Sequence, residues 1–182
     1  LLVSSGSLLD EIQITADFLR RAKGGVTLSG GEPLVQPKFV ASILRGCKEM
    51  KLHTALDTTG HLGDKATDAM LADTDLVLLD IKSIAPDIYR HVTGAELQPT
   101  LDFARRLDRM GKKMWIRFVL VPGLTDDPAN VNGLADFVAS LKMVERVEVA
   151  PFHKMGEFKW KELRMPYKLA DTEPPTQESI KQ

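Results

Sequence analysis

The 182-residue sequence has a single cysteine, few aromatic residues and no excess of charge of either sign. With Cys47 alone, the chain can form no internal disulfide and cannot by itself build a site from several cysteines. Its 24 Lys and Arg residues nearly balance 25 Asp and Glu residues, which argues against a general nucleic-acid or membrane-surface binder. No apolar run approaches the roughly 20 residues that span a bilayer. We therefore expect a cytoplasmic protein with neither nucleic acid nor membrane as a partner.

The composition is that of an ordinary folded domain, with 43% hydrophobic and 27% charged residues. A chain of this length defaults to one domain, which we assign to residues 1–182. The sequence begins at Leu1 rather than Met, and we expect it to be part of a longer polypeptide.

Helical and strand-like segments alternate along most of the chain. Apolar residues at helical spacing predict helices that begin near Ser7, Pro37, Asp64, Asp87, Thr100 and Asp127. Short β-rich runs predict strands at residues 26–29, 51–57, 75–80, 114–121 and 146–150. The apolar centres of 75–80 and 114–121 are typical of strands buried on both faces. This alternation predicts an α/β fold with a parallel sheet, followed by an irregular tail over residues 154–182 in which a helix begins at Thr176.

Glycine and acidic residues follow the first predicted strand, at the edge where parallel sheets gather their reactive groups. The pair Gly30 and Gly31 allows a ligand to approach the backbone closely, and Glu32 can accept hydrogen bonds from a cationic amino group. The alternative is a tight turn before a helix, with Glu32 favoured by the helix dipole.

Charged residues also close the later strands. Asp57 and Asp80 can share a cation or the amine and hydroxyl groups of a ligand, or can be helix caps and solvated loop carboxylates. Arg117 lies in an otherwise apolar strand and needs a partner, either a structural carboxylate or an anionic or ribose-like ligand. His153 follows the last strand, as a loop histidine or as a binding residue. Cys47 falls on an apolar helix stripe and is interpreted as a buried small hydrophobe.

Five segments resemble, in order, the activating enzymes of glycyl radical enzymes, which are radical S-adenosylmethionine proteins. They are GGVTLSGGEPLVQPKFV, HTALDTTG, DLVLLDIK, WIRFVLVPGLTDD and VAPFHKMGEFKW. Each segment alone is weak evidence for the resemblance. Together the five segments run from about residue 24 to 168 and make the resemblance specific. The resemblance implies a partial (β/α)6 barrel with S-adenosylmethionine bound across the strand ends.

The resemblance implies roles for several residues in binding S-adenosylmethionine. Gly30, Gly31 and Glu32 match a motif whose backbone and carboxylate hold the amino group of the methionine moiety. Arg117 matches an arginine near the ribose and carboxylate, and His153 matches a histidine close to the nucleoside.

Four further residues match the ends of the next two strands. Asp57 and Thr58 match an Asp-Thr pair, and Asp80 with Lys82 matches the D-x-K signature of the activating enzymes. In the family the two aspartates help to bind a monovalent cation beside the cofactor. The lysine contacts that cation or the substrate peptide.

The sequence departs from the family in one respect. The family holds a [4Fe–4S] cluster with three cysteines in a loop after the first barrel strand, and this chain has one cysteine. We therefore expect a barrel that lacks its first strand and cluster loop, with no catalytic residue of its own and no activity alone.

The whole parent protein would be an oxidoreductase that generates a glycyl radical on a partner such as pyruvate formate-lyase. It would use S-adenosylmethionine, the cluster and an electron donor of the flavodoxin or ferredoxin type. One alternative is a cluster-free domain that binds S-adenosylmethionine or a nucleoside, or docks a partner, without radical chemistry. A second is a fragment of an unrelated (β/α)-barrel isomerase or aldolase, for which Pro122-Gly123 is a poor phosphate loop.

Overall fold

The computed structural model of the chain describes residues 2–176, 178 and 180. The strands are β1 (Gly25–Leu28), β2 (His53–Thr58), β3 (Leu76–Asp80), β4 (Lys113–Leu120) and β5 (Val144–Pro151). The helices are α1 (Ser5–Arg21), α2 (Pro37–Glu49), α3 (Asp68–Ala72), α4 (Pro86–Thr93), α5 (Gln98–Arg109), α6 (Pro128–Ala139) and α7 (Glu157–Glu162).

All five strands are parallel and pair in chain order, β1-β2-β3-β4-β5. A helix separates each strand from the next, because parallel neighbours need a crossover connection. The predicted α/β class and parallel sheet are therefore confirmed. The described sheet has five strands where a complete (β/α)6 barrel has six, and it is consistent with a partial barrel.

The helix starts follow local capping chemistry. The α1 helix begins at Ser5, two residues before the predicted start at Ser7, because Ser4 Oγ caps it by accepting a hydrogen bond from the Ser7 amide over 3.0 Å. Pro37 opens α2 as predicted, since a first-turn residue needs no amide hydrogen. Asp127 caps α6 by accepting from the Ala129 amide over 2.9 Å.

Two predicted segments differ in the structure. The helix expected from Asp64 is a 3₁₀ turn, Gly63–Lys65, followed by α3, because the Thr67 hydroxyl caps a new helix by accepting from the Met70 amide over 3.2 Å. The tail after residue 153 contains a 3₁₀ turn, Lys154–Gly156, and α7, whose six residues are too few for a readable apolar period. The helix predicted from Thr176 lies largely outside the described residues.

The two faces of the sheet differ in burial. On β3, Val77 and Leu79 are fully buried, whereas the alternating Leu76, Leu78 and Asp80 are partly exposed. The prediction that this strand is buried on both faces was wrong. Helices cover only one face, and the opposite face stays accessible to solvent, as the inner wall of an open barrel does. The strand β4 alternates in the same way.

The main core lies between the covered face of the sheet and the helices. It includes Leu56, Val77, Leu79, Ile116 and Phe118 from the strands, packed with α2 through α5. A second cluster of Ala16, Ile43, Cys47 and Leu52 joins α1 to α2. Within the described residues, no helix combines the length and apolarity that a membrane crossing requires.

Candidate functional site

The loop after β1 exposes its backbone. Gly30 has φ +141°, a conformation that side-chain-bearing residues rarely adopt. A Cβ built on Gly30 or on Gly31 would meet no atom within 4 Å. The two glycines therefore face open space at the carboxyl edge of the sheet, and a ligand can lie directly against their backbone.

Glu32 joins this loop to the loop after β2. Its Oε1 accepts from the Leu34 amide over 3.1 Å and from the Thr58 hydroxyl over 2.7 Å. Its Oε2 accepts from the amide and the hydroxyl of Thr59, over 3.0 and 2.8 Å. A carboxylate has about four acceptor positions, so these four donors fill them. The carboxylate thus fixes the two loops relative to each other, and none of the described ion pairs includes it.

Thr58 and Asp57 point to opposite faces of β2, because side chains alternate along a strand. Thr58 is 3% exposed, and its hydroxyl also accepts from the Gly60 amide over 3.0 Å. Asp57 lies on the open face, where its Oδ2 accepts from the Ser29 hydroxyl over 3.0 Å. Thr58 therefore shapes the loop, while Asp57 faces the site.

Arg117 links Asp57 and Asp80. The register of β3 and β4 places Asp80 opposite Arg117, whose Nε donates to Asp80 Oδ1 over 2.8 Å. The Nη2 of Arg117 donates to Asp57 Oδ1, and Lys82 Nζ donates to Asp80 Oδ2 over 2.7 Å. These four side chains form one cluster of two acids and two bases on the open face, which we call the charged cluster.

The charges of the cluster reinforce one another. Desolvation by burial lowers the pKa of Arg117, but the nearby carboxylates of Asp80 and Asp57 outweigh it and raise the pKa overall. The guanidinium is therefore a fixed cation at every physiological pH. The structural ion pair that the sequence allowed for Arg117 is present. All four side chains stay 18–28% exposed, so a ligand can still reach them.

His153 does not join the cluster. It follows β5, is exposed, and makes no side-chain hydrogen bond with another described residue. The structure places it at the correct end of the sheet, but it does not pair it with the other candidate residues.

Two polar residues of this edge were missed in the sequence. Thr59 supplies two of the four hydrogen bonds to Glu32, and its only signal was its place in a run of hydroxyl residues before Gly60. Glu148 lies opposite Arg117 on β5, and the strand register alone reveals this position.

The described residues contain no group of three or more His, Cys, Asp or Glu side chains arranged to hold a metal ion. Asp57 and Asp80, for which the sequence suggested a monovalent cation, each give one oxygen to Arg117. The cation remains a prediction.

The comparisons with known proteins agree with the fold. The family model of the radical SAM superfamily matches residues 7–131. The chain therefore belongs to the radical SAM superfamily. Its fold is α/β with a parallel sheet, and an open glycine loop and charged groups lie at the carboxyl edge of that sheet. Members of this superfamily use S-adenosylmethionine and a [4Fe–4S] cluster.

Within the superfamily, the chain is similar to pyruvate formate-lyase activating enzymes. It is 42% identical to the enzyme of Clostridium pasteurianum, over 94% of this chain and 71% of that protein. It is 37% identical to the pyruvate formate-lyase 1-activating enzyme of Escherichia coli (strain K12), over 98% and 73% of the two chains. A solved domain of such an enzyme from Bacteroides vulgatus ATCC 8482 matches with a TM-score of 0.72 at 27% identity, covering 87% of this chain and 89% of that one.

The residues present fit S-adenosylmethionine and do not fit the cluster. The ligand carries a cationic amino group, a sulfonium, a carboxylate and ribose hydroxyls, and the site offers open backbone, an unpaired carboxylate charge at Glu32 and the cations of Arg117 and Lys82. A cluster needs several thiolates. Cys47 is fully buried on α2, and burial raises the pKa of its thiol, so it is not available as a ligand. Cluster chemistry requires ligands that these 182 residues do not contain.

Proposed function

We propose that this chain is the S-adenosylmethionine-binding part of an activase that generates a glycyl radical on a partner enzyme such as pyruvate formate-lyase. The observation that carries the proposal is the similarity, over almost the whole chain, to proteins named pyruvate formate-lyase activating enzymes. When bound, S-adenosylmethionine and the cluster supply the radical chemistry, and the protein binds and orients the ligand.

The glycine loop receives the methionine end of the ligand. Because the acceptor positions of Glu32 are filled, the amino group binds to the backbone at Gly30 and Gly31. The negative charge of Glu32 favours the cationic amino group from behind the loop. This refines the role suggested by the sequence, in which the carboxylate accepts from the amino group directly.

The charged cluster receives the carboxylate and ribose. Arg117 and Lys82 have donors left for a carboxylate, since a guanidinium carries five N–H groups and an ammonium three. We call Glu32 with its four hydrogen-bond donors, from Leu34, Thr58 and Thr59, the Glu32 clamp. Thr58 contributes by holding this clamp rather than by contact with the ligand. His153, which is exposed at the end of β5, lies beside the nucleoside.

A monovalent cation is a finer part of the proposal. Each carboxylate oxygen of Asp57 and Asp80 accepts one hydrogen bond, from Ser29, Arg117 or Lys82. An oxygen of this kind has about one acceptor position left, which a weakly held cation can use. Replacement of potassium by choline at constant ionic strength should then weaken binding of S-adenosylmethionine.

The remaining parts concern the whole protein. Residues 1–182 act as one domain in a longer polypeptide that supplies the cluster cysteines, receives electrons from a flavodoxin or ferredoxin, and works in the cytoplasm. The supporting observation is the chemical one, that three thiolates are needed and one is present.

The test is calorimetric titration of S-adenosylmethionine into the chain and into two matched variants. Lys82→Met removes an ammonium at the carboxyl end of the sheet, and Lys113→Met removes one with a similar 2.7 Å ion pair at the amino end of β4. We expect Lys82→Met to weaken binding about tenfold and Lys113→Met to leave it unchanged. Equal effects would contradict the proposed site.

An anaerobic assay separates the radical function from binding alone. The 182-residue chain should give no 5′-deoxyadenosine with S-adenosylmethionine and a reductant, because it does not contain the thiolates that a cluster needs. Cleavage by the chain alone would contradict the account. Iron-free native protein that still binds the ligand would instead support the cluster-free binding domain.

A further inference from the structure

A buried chain of hydrogen bonds reaches the Glu32 clamp from the helices. The hydroxyl of Tyr89 on α4 lies 2.7 Å from the hydroxyl of Thr100 on α5. Thr100 Oγ1 donates to the carbonyl oxygen of Thr59 over 2.9 Å. Thr59 in turn gives its amide and hydroxyl to Glu32 Oε2. Both Tyr89 and Thr100 are fully buried.

The direction of this chain is fixed. The single hydroxyl hydrogen of Thr100 is used on the Thr59 carbonyl, so Tyr89 donates and Thr100 accepts. Burial raises the pKa of Tyr89, and the charges of Glu32 and Asp80 raise it further, so the phenol stays protonated and remains a donor. Residues of α4 and α5 therefore fix Thr59 by hydrogen bonds, and Thr59 in turn fixes Glu32.

No described hydrogen bond of the local turn replaces this support of the Thr59 carbonyl. The Thr59 carbonyl follows β2 and lies outside its ladder with β3, which ends at Thr58 and Leu79. Without Thr100, the peptide after Thr59 would have no described protein partner for this oxygen, and the residue could rotate. The Thr59 amide and hydroxyl would then lose their alignment on Glu32.

We infer that Thr100 and Tyr89 are positioning residues for the methionine end of S-adenosylmethionine. Thr100 fixes Thr59, Tyr89 fixes the hydroxyl of Thr100, and the aligned Glu32 clamp keeps Gly30 and Gly31 in place for the amino group. The inference rests on the proposed function, in which that loop binds the ligand. Neither residue touches the ligand.

The test compares two ligands that differ at one end. S-adenosylmethionine carries the amino acid portion on a sulfonium, and 5′-methylthioadenosine lacks both that portion and the sulfonium charge. Thr100→Val removes the hydroxyl at nearly constant shape. It should weaken the binding of S-adenosylmethionine about threefold to tenfold and change the affinity for 5′-methylthioadenosine less than twofold. Thr100→Ser keeps the hydroxyl and should restore the wild-type ratio of the two affinities.

The matched control is Thr74→Val. Thr74 is also fully buried, and its hydroxyl donates over 2.9 Å to the carbonyl of Met70, before β3 and so at the other end of the sheet. This variant loses a comparable hydrogen bond and should keep the ratio of affinities. A purely structural role of Thr100 would make the two variants behave alike.

A double variant tests the order of the chain. Tyr89 acts only through Thr100. Tyr89→Phe should therefore lower the affinity for S-adenosylmethionine relative to that for 5′-methylthioadenosine when introduced into the wild type. It should lower this ratio no further when introduced into Thr100→Val. The double variant should also be more stable than Thr100→Val alone, because it removes the phenol that Thr100→Val leaves buried without an acceptor. Additive losses in the ratio would contradict this order.

Hydrogen exchange gives a readout without any ligand. The Thr59 amide should exchange several-fold faster in Thr100→Val, whereas the Thr54 amide, which donates to Asp75 over 2.9 Å, should be unaffected. Unchanged exchange at Thr59 would overturn the inference.

The Glu32→Gln variant distinguishes the proposed binding role of the Glu32 loop from the positioning role of Thr100 and Tyr89. If it lowers the ratio and Thr100→Val does not, the positioning inference is wrong and the proposed site stands. If neither lowers the ratio, the proposed role of the Glu32 loop is wrong as well.

Discussion

Arg117 and Asp80 lie directly opposite each other on β4 and β3, joined by a 2.8 Å hydrogen bond from Nε to Oδ1. The same guanidinium reaches Asp57 on β2, so one side chain from the middle of β4 is joined to the carboxyl ends of both β2 and β3. An arginine is suited to this because its planar fork can serve two carboxylates at once. The relationship makes Arg117 both a structural link and a cation at the site.

Replacement of Arg117 should therefore destabilise the fold more than loss of a surface ion pair. We expect Arg117→Met to lower the free energy of unfolding by about 1–3 kcal/mol, since it leaves two partly buried carboxylates without their shared cation. Arg117→Lys should be intermediate, because an ammonium has no fork. Urea unfolding measures the change. In the control, Arg90→Met breaks a bidentate pair with Glu96 that is about 60% exposed, and should destabilise the fold less than Arg117→Met does. Equal losses would refute the link.

Gly31→Ala should separate binding from stability. The added methyl group meets no protein atom within 4 Å, so the free energy of unfolding should stay within about 0.5 kcal/mol of wild type. A ligand against this backbone would meet the methyl, and binding of S-adenosylmethionine should weaken at least about tenfold.

Gly63→Ala is the matched control for that variant. A Cβ on Gly63 would overlap the Phe103 ring, so this substitution should destabilise the fold by about 1–3 kcal/mol. It should leave the affinity of the folded protein nearly unchanged. Full affinity in Gly31→Ala would show that the ligand does not lie on the glycine loop.

Asp75 should contribute to stability against acid. Burial raises the pKa of Asp75, but hydrogen bonds from Lys48 and Thr54 outweigh it, so the pKa lies below the ordinary value of 3.8. A carboxyl with a lowered pKa stabilises the fold fully above that ordinary value and loses the contribution as the pH falls through the lower, folded value.

We therefore expect Asp75→Asn to destabilise the protein at pH values near 7 and to reduce the further loss below pH values of about 4. The measurement is the urea midpoint across that range. Asp136→Asn is the control, since Asp136 is exposed on α6 and makes no described side-chain hydrogen bond. An identical acid profile for Asp75→Asn and wild type would contradict this role.

Cys47 should be chemically silent. Because burial raises the pKa of its thiol, a disulfide reagent should modify the folded chain no faster than the chain unfolds. Reconstitution with iron and sulfide should leave no [4Fe–4S] cluster on the wild-type chain or on Cys47→Ala. A stable cluster that depends on Cys47 would overturn the assignment of this residue to the core.

Much of the fold could be predicted because strand and helix periods are local. Residues 75–80 and 114–121 were recognised as strands, but the prediction that both of their faces are buried was wrong. Coverage of the second face depends on what the rest of the barrel contributes. Val147 and Val149 of β5 pair with the buried Ile116 and Phe118 and so lie on the face that helices cover elsewhere, yet they are about half exposed. The helix α7 was missed because six residues show less than two turns of any pattern.

The site was predicted less completely than the edge that carries it. Asp57 and Asp80 were selected because they end apolar strands, and Arg117 because a charge inside an apolar strand needs a partner. The structure brings the three together. Their mutual pairing follows from strand register, which a single sequence does not give. The saturation of Glu32 by four donors could not be foreseen, because three of the donors belong to Thr58, at the end of β2, and Thr59, just after it, 26–27 residues away.

The central claim is that S-adenosylmethionine binds across the carboxyl edge of this sheet. The most direct measurement is a titration of the ligand into the ¹⁵N-labelled chain, followed through the backbone amide resonances. We expect shifts confined to residues 29–32, 57–60, 80–82, the vicinity of Arg117 and the vicinity of His153, with the amino ends of the strands, such as His53 and Lys113, unchanged. Shifts centred on the amino ends or on the helices, with the glycine loop unaffected, would contradict the account.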